Sequence, residues 1–291
     1  MKRVAGTWLL LAALAAAGCQ ESPVPGGKPL VVASFYPMYE FTRQVSGDRA
    51  QVVSLVPTGV EPHDWEPSPQ DIAQVRRARL LVYNGAGFES WAPKLQAEVD
   101  GKTTAVVSAT AGLSLVDGDP HVWLDPVLAQ AQVETIRAAL ARVDPAGADA
   151  YSAHAKAFTA RLAALDEQFQ AGLRDCARRE VVVSHAAFGY LTRRYRLEQV
   201  PVMGLAPESE PSPAALAAIV RLARQRKVHA VFFETLVNRR LAETLAREVG
   251  ARTLLLNPIE GLTREEAAAG KGYLDLMAAN LANLREGLGC R

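Results

Sequence analysis

The stretch AGADAYSAHAKAFTARLAALDEQFQAGLRDC, residues 146–176, decides how this chain is organised. It contains no proline and only two glycines, and its apolar residues recur at steps of three and four: Phe158, Leu162, Leu165, Phe169 and Leu173. That spacing predicts an amphipathic α-helix. At about 1.5 Å per residue, roughly thirty residues of helix would extend about 45 Å. One rigid helix is therefore expected to join two folded halves, although two ordinary helices broken near Asp166 would also fit the pattern.

Short β-branched runs alternate with amphipathic stretches on both sides of this helix. Before it, strands are predicted at 30–34, 51–56, 80–83 and 104–108, with helices at 39–45, 71–78 and 89–99. After it, strands are predicted at 180–184, 199–203, 230–234 and 252–256, with helices at 186–194, 213–226, 239–249 and 271–285. Such alternation favours parallel βα units whose helices cover both faces of a sheet. The predicted fold class is α/β, with two parallel-sheet α/β lobes joined by one long backbone helix.

The first residues have the features of an export signal. A basic start precedes an apolar run at residues 8–17, which is much shorter than the roughly 20 residues of a membrane-spanning helix. We therefore predict a cleaved signal peptide at residues 1–18. Residues 16–19 resemble a bacterial lipobox, although Leu is more usual where Ala16 stands, so Cys19 is expected to carry lipid, with ordinary cleavage as the alternative. The Pro- and Gly-rich residues 19–28 then provide the lipidated cysteine and a flexible tether.

The rest of the chain is long enough for two domains of ordinary size. We predict an N-terminal α/β lobe at 29–145, the connecting helix at 146–176 and a C-terminal α/β lobe at 177–291. Export implies an oxidising compartment, so Cys176 and Cys290 are expected to form a disulfide, with two separate buried thiols as the alternative. The formal net charge of +1 shows no basic bias, so no nucleic-acid partner is predicted.

Three of the five histidines lie in Pro- or Asp-bounded segments beside predicted strands. His63 lies in GVEPHDWEPSPQD (59–71), His121 in DPHVWLDP (119–126) and His185 in VVVSHAAFGYL (181–191). Ligands of open α/β sheets gather outside the carboxyl ends of the strands, and imidazole is the commonest protein ligand for zinc-like ions. These three histidines are therefore predicted to bind one metal ion, whereas His154 and His229 are expected to be structural.

Two aspartates flank the second of these histidines. Either Asp119 or Asp125 could orient the His121 imidazole through its second nitrogen, a contact that fixes the tautomer of a metal ligand. Asp125 is also well placed as the N-cap of a helix continuing through Leu140.

The chain resembles the zinc and manganese solute-binding proteins of bacterial ABC uptake transporters, the ZnuA/TroA-like family, from about residue 30 to residue 288. The motifs that carry the resemblance are ASFYPMYEFTRQVSGD (33–48), PHDWEPSP (62–69), DPHVWLDP (119–126), SHAAFGYL (184–191) and LNPIEGL (256–262). The resemblance implies a metal ion buried between two lobes, with ligands at His63, His121 and His185 and a carboxylate at Glu260. Glu61 or water are alternatives for the fourth ligand, whereas Glu208, Glu210 and Glu234 are expected to be capping or salt-linked residues.

The resemblance further implies a monomeric lipoprotein that delivers the captured ion to an ABC transporter membrane permease. It would act in the periplasm or at the cell surface, held on the membrane by Cys19. Three imidazoles and one carboxylate suit Zn²⁺, whereas Mn²⁺ favours more oxygen ligands, and manganese-preferring relatives often carry a carboxylate where His185 stands. Zinc-binding relatives often insert a His- and Asp-rich loop before the second ligand motif, which this chain lacks, so Mn²⁺ stays an alternative.

Two other classes of protein are alternatives to a transport component. A zinc-dependent hydrolase would use the same histidines, with Glu260 acting on a metal-bound water. Neither HExxH nor GxSxG occurs in the sequence, so no enzymatic activity is predicted. A surface adhesin is the third possibility, but no sequence feature marks an adhesive surface.

Overall fold

The computed structural model describes residues 27–206, 213–236 and 240–291. The predicted signal peptide, Cys19, most of the tether, Glu208 and Glu210 lie outside the described residues. Within those ranges, no helix combines the length and hydrophobicity that crossing a bilayer requires.

The N-terminal lobe is built on a four-stranded parallel sheet in the order β2-β1-β3-β4. Its strands are β1 (Leu30–Ala33), β2 (Gln51–Ser54), β3 (Leu80–Tyr83) and β4 (Ala105–Ser108). Its helices are α1 (Tyr36–Ser46), α2 (Pro69–Arg76), α3 (Ala92–Ala97) and α4 (Pro126–Val143). The central strands are apolar on both faces because helices cover both sides of the sheet. Each of the four predicted strands is confirmed, with ends that shift by at most two residues.

Helix α5 (Ala148–Leu173) is the predicted connecting helix, and its 26 residues are unbroken. It spans about 39 Å at 1.5 Å per residue. The alternative of a break near Asp166 is wrong, because this residue lies within the helix. Its buried carboxylate accepts hydrogen bonds from the Arg194 guanidinium at 2.6 Å and the Tyr195 hydroxyl at 2.9 Å. The predicted apolar stripe of α5 is buried.

The C-terminal lobe repeats the topology of the first, with a parallel sheet in the order β6-β5-β7-β8. Its strands are β5 (Glu180–Val183), β6 (Glu198–Pro201), β7 (Ala230–Phe233) and β8 (Arg252–Leu255). Its helices are α6 (Gly189–Arg194), α7 (Pro213–Gln225), α8 (Arg240–Val249), α9 (Arg264–Ala268) and α10 (Tyr273–Leu288). Helix α9 was not predicted. It begins with a capping box in which Thr263 and Glu266 satisfy each other's backbone N–H groups.

One hydrophobic core extends through both lobes along α5. Phe41 from α1 contacts Phe158 from α5 and Tyr273 from α10, with ring centroids 5.7 and 5.0 Å away. A disulfide joins Cys176, just after α5, to Cys290, just after α10. Because both lobes share this core, the edges where their strands end can move only slightly relative to each other.

Candidate metal site

The four candidate ligands come from four separate segments and meet between the lobes. His63 lies in the loop after β2, and His121 lies in the segment between β4 and α4. His185 comes two residues after β5, and Glu260 follows β8. Their ligand atoms all lie within 4.8 Å of one another. The structure therefore brings together all four residues at the carboxyl ends of the two sheets, as expected for a ligand site in α/β folds.

The three imidazoles converge on a single carboxylate oxygen. The Nε2 atoms of His63, His121 and His185 lie 3.3, 3.2 and 3.3 Å from Glu260 Oε1. Ligand atoms at the corners of a tetrahedron with bonds of about 2.0 Å are roughly 3.3 Å apart. The distances to Glu260 thus match the edge of a tetrahedral zinc site.

Burial makes this arrangement costly without a cation. The exposed fraction of the side chain is 7% for His63, 0% for His121 and His185, and 2% for Glu260. Among the described residues, the Nε2 atoms of His121 and His185 have no hydrogen-bond partner. A buried polar atom without a partner costs about 1–3 kcal/mol. Such atoms aimed at one point are suited to share a positive ion.

Carboxylates fix the tautomers of two of the imidazoles. His121 Nδ1 donates to Asp119 Oδ1 at 2.7 Å, and the backbone N–H of His121 donates to the same oxygen at 2.9 Å. His185 Nδ1 donates to Glu234 at 2.7 Å, and its backbone N–H donates to the other oxygen at 3.1 Å. With the proton held on Nδ1, the lone pair of Nε2 points into the site.

Glu234 is the residue whose role sequence reasoning missed. The sequence predicts a capping or salt-linked residue there, and Glu234 is indeed salt-linked, but its partner, His185, was not predicted. The available signal was its position directly after β7, which pairs with β5 and so places Glu234 beside His185.

The proposed orienting role of Asp125 is corrected by the structure. Its carboxylate caps α4 by accepting from the backbone N–H of Val127 at 2.8 Å, and it lies 3.4 Å from Arg194 Nε. These contacts occupy the carboxylate with the helix end and the guanidinium. Asp119, on the loop before His121, is the aspartate that bonds the imidazole.

Glu61, the alternative fourth ligand, stabilises the loop of His63 through hydrogen bonds to its backbone. Its carboxylate accepts from the backbone N–H groups of His63 at 3.1 Å and Asp64 at 3.3 Å. Burial raises the pKa of Glu61. The remaining histidines lie elsewhere: His154 Nδ1 donates to a carbonyl of α1 at 3.1 Å, and His229 Nε2 lies 2.7 Å from an Arg178 nitrogen.

A strained loop presents the Glu260 carboxylate. Ile259 has φ 59°, a left-handed conformation that a β-branched residue rarely adopts. Its N–H donates to Asn257 Oδ1 at 2.8 Å, and Asn280 on α10 bonds both the N–H and the carbonyl of Asn257 at 2.7 Å. The Trp123 indole donates to the carbonyl preceding Ile259 at 2.8 Å. The loop of Glu260 is thus fixed from both lobes, and Trp123 lies only two residues after His121.

Aromatic rings line the N-terminal side of the site. The ring of Phe88 lies 4.6 Å from that of His63 and 6.1 Å from that of His121, and Trp123 lies 5.3 Å from His121. These rings exclude water and lower the local dielectric constant, which strengthens electrostatic interactions among the ligands.

The buried charges shift one another's pKa values in opposite directions. Burial lowers the pKa of His185, but the attraction of Glu234 and Glu260 outweighs it and holds this pKa well above its ordinary value. Burial lowers the pKa of His121, but the hydrogen bond to Asp119 and the nearby Glu260 carboxylate outweigh burial and raise this pKa. Burial raises the pKa of Glu260, yet His185 and His121 outweigh it and bring the pKa well below its ordinary value. Protons and a metal ion would therefore compete for the same imidazole nitrogens.

Known proteins are similar to this chain in both sequence and fold. The family model ZnuA, described as zinc-uptake complex component A periplasmic, matches residues 31–287. The high-affinity zinc uptake system protein ZnuA of Bacillus subtilis (strain 168) is 39% identical over 305 aligned positions, which cover 98% of this chain and 96% of that protein. The zinc-binding lipoprotein AdcA of Streptococcus pneumoniae serotype 4 is 37% identical, and the match covers 61% of its length.

A solved structure gives the same result. The Zn(II)-bound ZnuA-like domain of Streptococcus pneumoniae AdcA has a TM-score of 0.82 and 40% identity, covering 90% of this chain and 99% of that chain. The family predicted from the five motifs is thereby confirmed. The chain belongs to the ZnuA family of zinc-uptake complex components.

Proposed function

We propose that this protein captures one Zn²⁺ ion with His63, His121, His185 and Glu260 and delivers it to the membrane permease of an ABC transporter. The observation that carries the proposal is the convergence of three buried Nε2 atoms on one Glu260 oxygen at 3.2–3.3 Å. Three nitrogen donors and one carboxylate favour zinc, whereas manganese favours oxygen-rich sites. The membership in a zinc-uptake family supports both the ion and the kind of partner.

The proposal places the mature protein outside the cytoplasm as a monomer. The export signal predicted at residues 1–18 and the periplasmic description of the family support this location. Lipidation of Cys19 is part of the proposal, supported by the lipobox-like residues that precede it and by a relative that is named a lipoprotein. The lipid would keep the protein on the membrane that holds its permease.

Binding would couple the two lobes. His63 and His121 belong to the N-terminal lobe, and His185 and Glu260 belong to the C-terminal lobe, so an ion bound by all four ties the lobes together. Without the ion, the buried Nε2 atoms of His121 and His185 lack a partner among the residues that the structure describes, which favours a looser arrangement, and zinc shifts the population toward the closed one. The shared core along α5 limits this motion to a small displacement. The closed form is the one that we expect the permease to recognise.

Four protein donors also argue for delivery rather than catalysis. A catalytic zinc keeps one coordination position open for water, whereas a tetrahedral ion held by four side chains has none. Hydrolysis by this site would require Glu260 to leave the ion, although hydrogen bonds from both lobes hold its loop.

The ligand assignment is tested by metal analysis of the purified protein. After removal of metal and dialysis against equal concentrations of Zn²⁺ and Mn²⁺, we expect one zinc ion per chain. His121→Ala and His185→Ala should each lose it, whereas the matched controls His154→Ala and His229→Ala should retain it. A wild-type protein that takes manganese in preference, or histidine variants that all bind zinc alike, would overturn the assignment.

Delivery needs a separate measurement in cells. Uptake of radioactive zinc should fall in cells that lack the protein and recover with the wild type, but not with His185→Ala. Recovery with the zinc-free variant would show that uptake does not depend on this site.

A further inference from the structure

Helix α6 of the C-terminal lobe contacts the segment that carries His121 in the N-terminal lobe. This helix begins four residues after His185. Its first turn lies against Asp119, and at its end Arg194 Nε lies 3.4 Å from Asp125 Oδ1. Asp119 precedes His121 by two residues, and Asp125 follows it by four. One short helix therefore reaches from one histidine ligand to both sides of another.

The hydroxyl of Tyr190, on α6, forms two hydrogen bonds across the lobes. Tyr190 is buried, with 4% of the residue exposed. Its hydroxyl donates to the carbonyl of Asp119 at 3.0 Å and accepts from the backbone N–H of Val116 at 3.0 Å. Both partners belong to the N-terminal lobe. The two bonds therefore hold a segment of one lobe against a helix of the other.

The two partners are the ends of a tight turn, VDGD at residues 116–119. The Asp119 N–H closes the turn by donating to the Val116 carbonyl at 2.9 Å. Asp117 and Gly118 have φ of 53° and 71°, and positive φ at both central residues is typical of a type I′ turn. The closing bond does not use the Val116 N–H or the Asp119 carbonyl. A hydroxyl both donates and accepts, so Tyr190 satisfies the two groups at once.

The same turn carries the carboxylate that bonds His121. Asp119 Oδ1 accepts from His121 Nδ1 at 2.7 Å and from the backbone N–H of His121 at 2.9 Å. Gly189, the first residue of α6, lets the helix approach the other carboxylate oxygen, because a Cβ at this position would clash with it. Helix α6 thus holds the carbonyl of Asp119 through Tyr190 and packs against its carboxylate through Gly189. A shift of Asp119 would shift the imidazole that it bonds.

The C-terminal lobe and α5 fix α6 at both ends. The backbone N–H of Phe188, a fully buried residue, donates to Gln199 Oε1 on β6 at 2.6 Å. At the other end, Arg194 donates through Nε and Nη2 to the two carboxylate oxygens of Asp166 on α5, each at 2.6 Å. Such bidentate, charge-assisted bonds are stronger than neutral hydrogen bonds and fix the geometry. Tyr190 therefore acts from a rigid element.

We propose that Tyr190 is a positioning residue for the metal site. Its hydroxyl, through the turn and Asp119, sets the place of His121 relative to His185. This inference rests on the capture of zinc by these histidines in the proposed function. The two hydrogen bonds form only while the turn lies against α6, so they favour the arrangement in which both imidazoles face one ion. Without them, fewer molecules hold the ligands in that arrangement, and the apparent affinity falls in proportion.

The test compares the zinc affinities of the wild type and Tyr190→Phe by competition with a zinc-binding dye. The Phe ring fills the same space but leaves the Val116 N–H and the Asp119 carbonyl without the hydroxyl. Loss of a group that orients a metal-bound histidine typically lowers metal affinity about 10- to 100-fold. Because Tyr190 acts through Asp119, we expect the lower value, about tenfold, with one zinc ion per chain retained. The visible spectrum of bound Co²⁺, which reports ligand geometry, should also differ from that of the wild type.

Tyr151→Phe is the matched control. Tyr151 is also buried, and its hydroxyl donates to Asp144 at 2.6 Å near the start of α5, away from the ligand segments. Both variants lose a buried hydrogen bond and should therefore lose some thermal stability. Only Tyr190→Phe should change the zinc affinity and the Co²⁺ spectrum, which separates positioning of the ligands from stabilisation of the fold.

Two further variants test the connection through Asp119. Gly189→Ala keeps the hydroxyl but adds a Cβ against the Asp119 carboxylate, so it should also weaken zinc binding, and it decides the matter by itself if Tyr190→Phe fails to fold. Asp119→Ala removes the carboxylate that bonds His121. In that background Tyr190→Phe should weaken zinc binding less than it does in the wild type.

The outcomes distinguish this role from the proposed function. A wild type that binds no zinc would overturn both. A wild type that binds one zinc ion, with Tyr190→Phe and Gly189→Ala binding it as tightly, would overturn the role of Tyr190 alone. An equal loss of affinity in Tyr151→Phe, or strictly additive losses with Asp119→Ala, would also overturn that role.

Discussion

Replacing Glu234 with Gln tests how the site prepares His185 for an ion. Glu234 is 2% exposed, and its carboxylate accepts from His185 Nδ1 at 2.7 Å and from the His185 backbone N–H at 3.1 Å. A Gln side chain has nearly the same shape, and its amide oxygen can still accept from His185 Nδ1, while its amide nitrogen replaces the oxygen that accepts from the His185 backbone N–H. The substitution therefore removes the negative charge while keeping the packing and the tautomer.

The expected loss of zinc affinity is about tenfold at alkaline pH. A hydrogen bond to a charged group contributes about 1.5–3 kcal/mol and a neutral one about 0.5–1.5 kcal/mol. The difference of roughly 1–1.5 kcal/mol corresponds to about five- to twelvefold in a dissociation constant. Removal of a carboxylate that bonds a metal-bound histidine typically lowers metal affinity about 10- to 100-fold, so the loss here should not exceed about 100-fold.

The loss should shrink as the pH falls. In the metal-free protein, Glu234 and Glu260 hold the pKa of His185 well above its ordinary value, so zinc must displace a proton from this imidazole below that raised pKa. Glu234→Gln lowers the pKa of His185 toward its ordinary value and so weakens proton competition. This gain offsets part of the lost attraction at about pH 6 but contributes little once the wild-type imidazole is already neutral.

Competition with a zinc-binding dye at about pH 6 and pH 8.5 measures both effects. Glu134→Gln is the matched control, since it removes the same charge from an exposed ion pair on α4, and it should leave the affinity unchanged within about twofold. Tighter zinc binding by Glu234→Gln at pH 8.5, or a loss that grows as the pH falls, would refute the role that we assign to this carboxylate.

Three further predictions concern protons, the Glu260 loop and the disulfide. Because the pKa values of His121 and His185 are raised, zinc binding at neutral pH should release about one or two protons, seen in calorimetry as a binding enthalpy that changes with the ionisation enthalpy of the buffer. Asn280→Ala should lower the free energy of unfolding by about 1–3 kcal/mol in urea titrations and weaken zinc binding, because it leaves the Asn257 backbone groups unbonded. Replacing Cys176 and Cys290 with Ser should cost about 2–5 kcal/mol of stability, since this disulfide closes a loop with a sequence separation of 114, but should leave the zinc stoichiometry at one.

The periodic elements could be predicted from sequence because their pattern is local. The apolar stripe of residues 158–173 identifies α5, and the β-branched runs identify the eight strands of the described residues. The ends of shorter elements depend on contacts that sequence periodicity does not contain. Helix α6 begins at Gly189 rather than at residue 186. Gly189 lets the chain approach Asp119, because a Cβ at this position would clash with the Asp119 carboxylate.

The candidate ligands were predictable to different degrees. His185 follows a clear strand, and its position at a carboxyl end could be read directly. Glu260 required the family resemblance, since four residues separate it from β8 and the strained Ile259 turns its carboxylate inward. Glu234 required the strand order, because β5 pairs with β7 rather than only with its sequence neighbour β6. Parallel strand order depends on how helices pack over the sheet, and a single sequence does not specify it.

The opposed pKa shifts give the metal-free protein its own pH dependence. The raised pKa of His185 makes its proton stabilising below the ordinary value of 6.5, and this stabilisation is lost as the pH rises through the raised folded-state pKa. The lowered pKa of Glu260 stabilises the fold above its ordinary value of 4.5 and is lost as the pH falls through the folded-state pKa. The metal-free protein therefore gains most from this site between about pH 4.5 and 6.5.

Zinc changes this balance because it occupies the same Nε2 atoms that protons would hold. Above the folded-state pKa values the imidazoles are neutral, and the buried Nε2 atoms of His121 and His185 are then left with neither a proton nor a partner. That is the range where an ion relieves the largest penalty and meets the least competition. Stabilisation of the fold by zinc should consequently grow as the pH rises, while the stability of the metal-free fold declines, so the ion rather than the proton holds the two lobes together at alkaline pH.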